Sequence, residues 1–180
     1  MIKTLTPISN QVLLKNISWE TYQTLLKDLE IQPGTRMNYK AGLLEIVTPL
    51  NPHESYKQLV GRFVETLTEE LNLEIRSLGS STWCREDLAA GLAPDNCYYI
   101  QNEELVRYLQ QIDLTQNPPP DLAIEIDITS SSLNRLEIYA ALGVPEVWRY
   151  DGNEFKIYCL EGGKYQRSNL VGIRRLIMYN

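Results

Sequence analysis

The sequence predicts an α/β (α+β) fold, in which a mixed central β-sheet is flanked by helices. Three observations predict it: a long amphipathic helix in the first half, a strand, helix and strand between residues 121 and 150, and an antiparallel meander after them. Helices and strands that alternate in this way form layers around one core. We therefore expect the core order helix, three strands, helix, strand, with an extra N-terminal helix and hairpin.

Length and composition favour a single domain spanning residues 1–180. The chain has 180 residues, of which 43% are hydrophobic and 22% charged, enough to bury one core. No run approaches the roughly 18 apolar residues of a membrane span. The three cysteines are widely spaced and odd in number, which argues against both a disulfide framework and a thiolate metal site. We expect a protein of the reducing cytoplasm.

Charge and histidine content limit the possible chemistry. A formal net charge of -6 counts against avid, non-specific binding to nucleic acid. A carboxylate cluster that binds a metal would add negative charge locally, however, and the bound cation would reverse it. His53 is the single histidine, so sites that need two histidines are excluded. Carboxylates must therefore carry any catalysis.

Two helices and a hairpin are predicted in the first half. Apolar residues recur at helical spacing from Ser18 to Glu30 and from Pro52 to Leu71, where the stripe includes Leu59 and Phe63. Between these helices, two short strands flank Ala41-Gly42 and predict a hairpin, with the bounds Arg36 to Lys40 and Leu43 to Thr48.

Shorter elements follow the long helix. We expect strands from Leu73 to Leu78, from Ser81 to Arg85 and from Pro94 to Ile100. The small residues from Ala89 to Ala93 predict a flexible loop. A short helix from Glu103 to Gln111 and an extended, proline-rich loop from Asp113 to Pro120 complete this part.

The segment Asp121 to Ile128 reads DLAIEIDI and alternates strictly. Its Leu and Ile side chains point one way, and Ala123, Glu125 and Asp127 point the other. A strand of this kind packs its apolar face on a helix and directs its acidic face at a cleft or at solvent. A helix closed by Gly143, with N-cap candidates from Ser130 to Ser132, comes next. The strands Glu146 to Tyr150, Glu154 to Leu160 and Lys164 to Ser168 then complete the meander.

Asp95 and Glu125 are the candidate catalytic pair. Metal-assisted phosphodiester hydrolysis needs at least two anionic oxygen ligands that converge, usually from adjacent strands. Asp95 opens one predicted strand, and Glu125 lies in the middle of the next regular strand. A carboxylate within an apolar strand is costly unless it is paired, hydrated or bound to a metal.

The ordered set of these residues resembles a known superfamily. Pro94-Asp95, the strand with Glu125 and the following helix resemble the PD-(D/E)XK nucleases. Within them, the chain is similar to bacterial proteins of the "putative restriction endonuclease" domain family, the Uma type. The similar segments are Pro120-Asp121-Leu122, Tyr139, Gly143-Val144-Pro145-Glu146 and Trp148. The resemblance covers roughly Gly42 to Tyr150 and implies a restriction-endonuclease-like core of αβββαβ order.

The resemblance also implies a site chemistry. It implies that Asp95 and Glu125 bind Mg²⁺ or Mn²⁺, with a lysine two residues after the glutamate. That position is Asp127 here. The basic residue on the following helix is Arg135, which can hold a phosphate but is a poor general base. Asp127 is then a candidate third ligand or water-orienting group, and a pairing of Asp127 with Arg135 would instead leave the site inactive.

Three other polar residues can be explained without a role in the site. Strand alternation can place Glu45 on the solvent side, although a site role is open. His53, at the start of the long helix, is expected to help cap it or to face solvent, and a substrate contact is the alternative. Asp121 follows a proline and is expected to be structural.

These expectations lead to two functional hypotheses. The first is a Mg²⁺-dependent endonuclease that cleaves nucleic acid, with DNA as the expected substrate, and that acts as a homodimer because two-fold symmetric subunits suit a two-strand cut. The second is a catalytically inactive nuclease-fold protein that acts as a binding or assembly module. A carbohydrate-cleaving pair of carboxylates has no support in the sequence.

Overall fold

The computed structural model describes residues 9–29, 34–49, 51–127 and 133–168. These residues form four helices and eleven strands. The helices are α1 (Trp19–Leu29), α2 (Asn51–Glu70), α3 (Glu103–Val106) and α4 (Arg135–Leu142). The strands are β1 (Ser9–Leu14), β2 (Arg36–Lys40), β3 (Leu43–Pro49), β4 (Arg76–Ser77), β5 (Trp83–Arg85), β6 (Ala90–Leu92), β7 (Asn96–Tyr99), β8 (Leu122–Ile126), β9 (Glu146–Tyr150), β10 (Phe155–Glu161) and β11 (Lys164–Ser168).

The first sheet is antiparallel and has the strand order β1-β3-β2-β6-β5. Its centre is the predicted hairpin of β2 and β3, which places Asn38 opposite Glu45. The connecting residues Ala41 and Gly42 both have positive φ, at 45° and 90°. Two such residues make the type of turn whose twist matches that of a hairpin. Helix α1 packs on this sheet through the buried Tyr22, which stacks on Tyr39.

The second sheet is mixed and has the order β11-β10-β9-β8-β7-β4. Only β8 and β9 pair in parallel among its described strands, because helix α4 carries the chain from the end of one to the start of the other. Gly143 ends α4 in the left-handed conformation, at φ 80°. The two sheets with their flanking helices confirm the predicted α+β fold class.

The two faces of β8 bury different chemistry. Leu122, Ile124 and Ile126 lie in one core cluster with Val60 and Val64 of α2, as the alternation predicts. The opposite face, with Ala123 and Glu125, is also buried, so it faces neither open solvent nor an open cleft. This second face lies in a core that includes side chains of α4 and of both sheets. The acidic face of β8 is therefore enclosed between protein layers.

Several local predictions are wrong or incomplete. The predicted loop from Ala89 to Ala93 contains β6, whose three residues are buried. Its small side chains fit a crowded place, since a Cβ at Gly91 would lie 2.4 Å from the Tyr22 hydroxyl. Leu59 and Phe63, placed on the apolar stripe of α2, are more than half exposed, at 65% and 51%.

Other differences concern the ends of elements. Strand β1 was not predicted, and it adds to β3 at the edge of the first sheet. The predicted strand from Leu73 to Leu78 is reduced to Arg76–Ser77. The helix predicted from Glu103 to Gln111 is reduced to Glu103–Val106. The N-cap candidates Ser130 to Ser132 lie outside the described residues. In the part of the chain that the structure describes, no helix is long and apolar enough to cross a membrane.

Candidate active site

A cluster of buried charged residues lies where the two sheets and two helices meet. The first sheet contributes side chains from β2 and β3, and the second from β8 and the residue before β7. Helices α2 and α4 supply the rest. The members are Arg36, Asn38, Glu45, His53, Asp95, Glu125, Arg135 and Tyr139.

Asp95 lies at the junction between the two sheets, just before β7. Its backbone N–H donates to the carbonyl of Ile124 at 3.0 Å, and one carboxylate oxygen, Oδ2, accepts the N–H of Ile126. These two bonds tie Asp95 to β8 on both sides of Glu125. The other oxygen, Oδ1, pairs with Arg36 and lies 3.1 Å from Nε2 of His53. Asp95 is fully buried, so it is held rigidly beside the strand that carries Glu125.

Glu125 is held by helix α4. Its Oε2 pairs with the guanidinium of Arg135, and its Oε1 accepts the hydroxyl proton of Tyr139. Arg135 and Tyr139 are four residues apart, so they project from the same side of α4. Arg135 therefore lies at Glu125, one of the two predicted carboxylates, and Tyr139 holds the same carboxylate from the next turn of the helix.

Glu45 is a third buried carboxylate in the cluster. It is fully buried, so its expected placement on the solvent side is wrong. Its Oε2 accepts a hydrogen bond of 3.0 Å from Nδ2 of Asn38 and lies 3.6 Å from Nη2 of Arg135. The signal in the sequence was a glutamate within an apolar strand opposite an asparagine, and it becomes informative only once the hairpin register is known.

Arg36 and His53 were missed or misjudged from the sequence. Arg36 opens β2 and is buried, with its guanidinium between Asp95 and Glu54 of α2. His53 is also buried rather than facing solvent, because the first turn of α2 runs beside Asp95. The sequence signal available was only a charged residue at the start of each element, which is common at surfaces.

Asp127 is placed apart from this cluster by its ion pair. It pairs with Arg149 of β9, and its backbone N–H donates to the carbonyl of Tyr150 at 2.8 Å. The postulated pairing of Asp127 with Arg135 is wrong, since Arg135 binds Glu125. A role for Asp127 in the site stays a prediction, as do the catalytic roles of Asp95, Glu125 and Arg135.

Asp121 has the structural role that its position predicts. Its carboxylate accepts the backbone N–H groups of Ile100 and Asn102, at 2.7 Å and 3.0 Å, and the side-chain amide of Asn102. These bonds anchor the turn that leads from β7 into α3.

The cluster carries an excess of negative charge. Three buried carboxylates, of Glu45, Asp95 and Glu125, face the two guanidinium groups of Arg36 and Arg135. Burial, followed by the charge of Arg36, lowers the pKa of His53 to about 4, so the imidazole is neutral at pH 7. One negative charge is therefore left over among these residues.

The two arginines differ in their electrostatic surroundings. Burial lowers the pKa of Arg36, even though Glu125 and Glu54 act against it. Burial also acts to lower the pKa of Arg135. The charges of Glu125 and Glu45 outweigh this effect of burial, so the pKa of Arg135 is raised. Arg135 is thus the more strongly stabilised cation of the two.

Comparison with known proteins identifies the family. A family model named Uma2, described as "Putative restriction endonuclease", matches residues 19–177. The chain belongs to the Uma2 family. Every residue of the buried cluster lies inside the matched segment. No curated protein matches the chain. Membership of Uma2 indicates a nuclease in general terms, confirms the resemblance seen in the sequence, and supports nucleic acid as the class of substrate.

Restriction-endonuclease-like families such as Uma2 generally use a divalent metal, and the donor chemistry of this cluster fits one. Asp95 Oδ1 is buried and makes no hydrogen bond of normal geometry, although Arg36 and His53 lie beside it. Carboxylate oxygens and an excess negative charge are what Mg²⁺ and Mn²⁺ select. Among the described residues, no three His, Cys, Asp or Glu side chains are arranged to surround an ion. The guanidinium groups of Arg36 and Arg135 instead contact the candidate ligands.

Proposed function

We propose that this Uma2 protein is a metal-dependent endonuclease that hydrolyses phosphodiester bonds, with DNA as its substrate. One observation carries the proposal: Asp95 and Glu125, from adjoining segments of two antiparallel strands, are buried in the same cluster with an arginine on each. Burying three carboxylates is unfavourable for folding, so their retention in one place favours a function.

The roles of the residues follow from their contacts. Asp95 and Glu125 would hold the metal ion, and Glu45 is the further carboxylate within reach of the same arginine. When bound, a divalent metal lowers the pKa of its water and neutralises charge that develops on the phosphate. Arg135 stays protonated and can contact a phosphate oxygen, because 18% of its side chain is exposed. Tyr139 would hold Glu125 in place through the hydrogen bond from its hydroxyl.

A non-catalytic binding module remains the second candidate. Asp127 stands where the simplest motif has its lysine, so this position supplies no cation, and its carboxylate is paired with Arg149. Both candidate ligands are also already paired with arginine. If these pairs persist in the presence of metal, the fold would serve binding alone. A homodimer suits the endonuclease proposal, since two-fold symmetric subunits place one active site at each strand of a duplex.

Cleavage of DNA tests the proposal. Supercoiled plasmid and single-stranded DNA would be incubated with the wild-type chain and with Mg²⁺ or Mn²⁺, and nicked, linear and shortened products would be quantified. We expect metal-dependent cleavage that falls by roughly a hundredfold or more in Glu125→Gln, because a metal ligand is lost. Glu104→Gln, which replaces an exposed glutamate of α3, is the matched control. Equal products from the wild type and Glu125→Gln would leave the binding-module hypothesis standing.

A further inference from the structure

Arg36 lies against Asp95, one of the two candidate metal ligands. Its Nη1 pairs with Asp95 Oδ1, the buried oxygen without a normal hydrogen bond. Among the residues that act on its charge, Glu125 is the strongest stabilising neighbour. Arg36 therefore contacts one candidate ligand, Asp95, and is acted on by the charge of the other. A guanidinium and a divalent cation cannot both lie against Asp95 Oδ1, since like charges repel strongly in a buried environment.

Arg36 has a second partner that leads out of the cluster. Its Nη2 lies 3.4 Å from Oε1 of Glu54, whose side chain is 45% exposed. Lys57 lies 3.7 Å from the other oxygen of Glu54 and is one helical turn away on α2. The guanidinium thus bridges a buried acid and a half-exposed one. A small rotation of the Arg36 side chain would release Asp95 and keep the contact with Glu54, so its charge would stay paired.

We propose that Arg36 is a built-in competitor of the metal, which pairs with both Asp95 and Glu54 in the metal-free protein and keeps only Glu54 when a divalent cation binds to Asp95. This inference rests on the proposed function. It assigns to Arg36 a positioning role that Arg135 does not have. Arg135 is held between Glu45 and Glu125, has no exposed acid among its ion-pair partners, and stays in the cluster. The metal-free pairs with arginine are then the resting state of a metal site.

Mn²⁺ binding measured by isothermal titration calorimetry distinguishes this role from a structural one. We expect Arg36→Met to bind Mn²⁺ on the order of tenfold more tightly than the wild type, because the competing charge is gone. We expect Glu54→Gln to bind roughly threefold more weakly, because a half-exposed ion pair stabilises the displaced state only modestly. A merely structural Arg36 would give weaker binding in Arg36→Met. Arg167→Met removes an exposed arginine from the second sheet and is the control for net charge.

The folding of Arg36→Met needs a separate measurement. The substitution leaves the buried Asp95 without its cation, which is strongly destabilising, so thermal unfolding would be followed with and without Mn²⁺. A larger rise of the melting temperature with Mn²⁺ in Arg36→Met than in the wild type supports the proposal. If Arg36→Met does not fold, Glu54→Gln decides, since its side chain is half-exposed and its replacement leaves the core intact.

The outcomes separate this inference from the proposed function. Tighter binding by Arg36→Met with weaker binding by Glu54→Gln supports both. Two results overturn the role of Arg36 and leave the metal site in place, provided that the wild type binds Mn²⁺. One is a Mn²⁺ affinity of Arg36→Met that equals or falls below that of the wild type, and the other is an unchanged affinity in Glu54→Gln. No Mn²⁺ binding by the wild type or by Arg36→Met overturns the inference together with the metal dependence of the proposed function.

Discussion

At the scale of single residues, the site consists of charges whose partners come from distant parts of the chain. Asp95 is paired with a residue 59 positions earlier, and Glu45 lies near an arginine 90 positions later. Each buried charge is tolerated because an opposite charge or a donor is fixed beside it. The strands and helices that fix these partners therefore determine the chemistry of the cluster.

His53 makes the stability of the protein depend on pH. Its pKa is about 4 in the folded chain and about 6.5 when unfolded, because burial and then Arg36 disfavour the charged imidazole. Between these values the unfolded chain binds more protons, so stability falls as the pH is lowered from about 6.5 to about 4.

Urea unfolding at pH 7 and at pH 4.5 measures this effect. We expect the free energy of unfolding of the wild type to fall by about 1–3 kcal/mol more than that of His53→Gln over this interval, since a histidine at position 53 takes up a proton on unfolding and a glutamine does not. The other acids are common to both proteins and cancel in the comparison. The same loss in both proteins would contradict a buried neutral His53.

Sequence reasoning reached some of these residues and not others. Asp95 and Glu125 could be singled out because a carboxylate beside or within an apolar strand is conspicuous. Arg36 and His53 could not, since a polar or charged residue near the start of a strand or helix is ordinary at a surface. Their burial depends on two sheets coming together, and no local pattern contains that information. Glu45 had the same pattern as Glu125, but alternation alone does not tell which side of a strand is covered.

At the scale of elements, the periodic segments were predictable and the short ones were not. Helices α1 and α2 and the hairpin of β2 and β3 have strong repeating patterns, and the structure has them close to the predicted bounds. Strand β6 has only Ala90, Gly91 and Leu92, and its small residues resemble a loop in sequence. Gly91 has no room for a side chain because Tyr22 of α1 approaches it closely, which is a tertiary constraint.

The turn of the hairpin offers a test of this local structure. Ala41 is exposed and has a φ of 45°, which an asparagine tolerates better than an alanine. We expect Ala41→Asn to raise the free energy of unfolding by about 0.5–1 kcal/mol, and Gly42→Ala to lower it by about 1 kcal/mol. Chemical denaturation with both variants checks the pair of signs. A loss of stability in Ala41→Asn would contradict the assigned turn.

At the scale of the whole molecule, two sheets join to enclose the acidic face of β8. The sequence predicted one mixed sheet, and the mixed sheet is present, but the hairpin belongs to a second, antiparallel sheet with β1, β5 and β6. The chain passes between the sheets at the residues before β7, where Asp95 lies. The proposed active site is therefore a product of the junction, and neither sheet contains it alone.

The central claim is that Asp95 and Glu125 form one metal site across this junction. Calorimetric titration with Mn²⁺ of the wild type, Asp95→Asn, Glu125→Gln and the double variant tests it most directly, with Glu104→Gln as the control. We expect each single variant to weaken binding by roughly tenfold or more and the double variant to be little weaker than either, because ligands of one ion are coupled. Wild-type affinity in the double variant would contradict the claim.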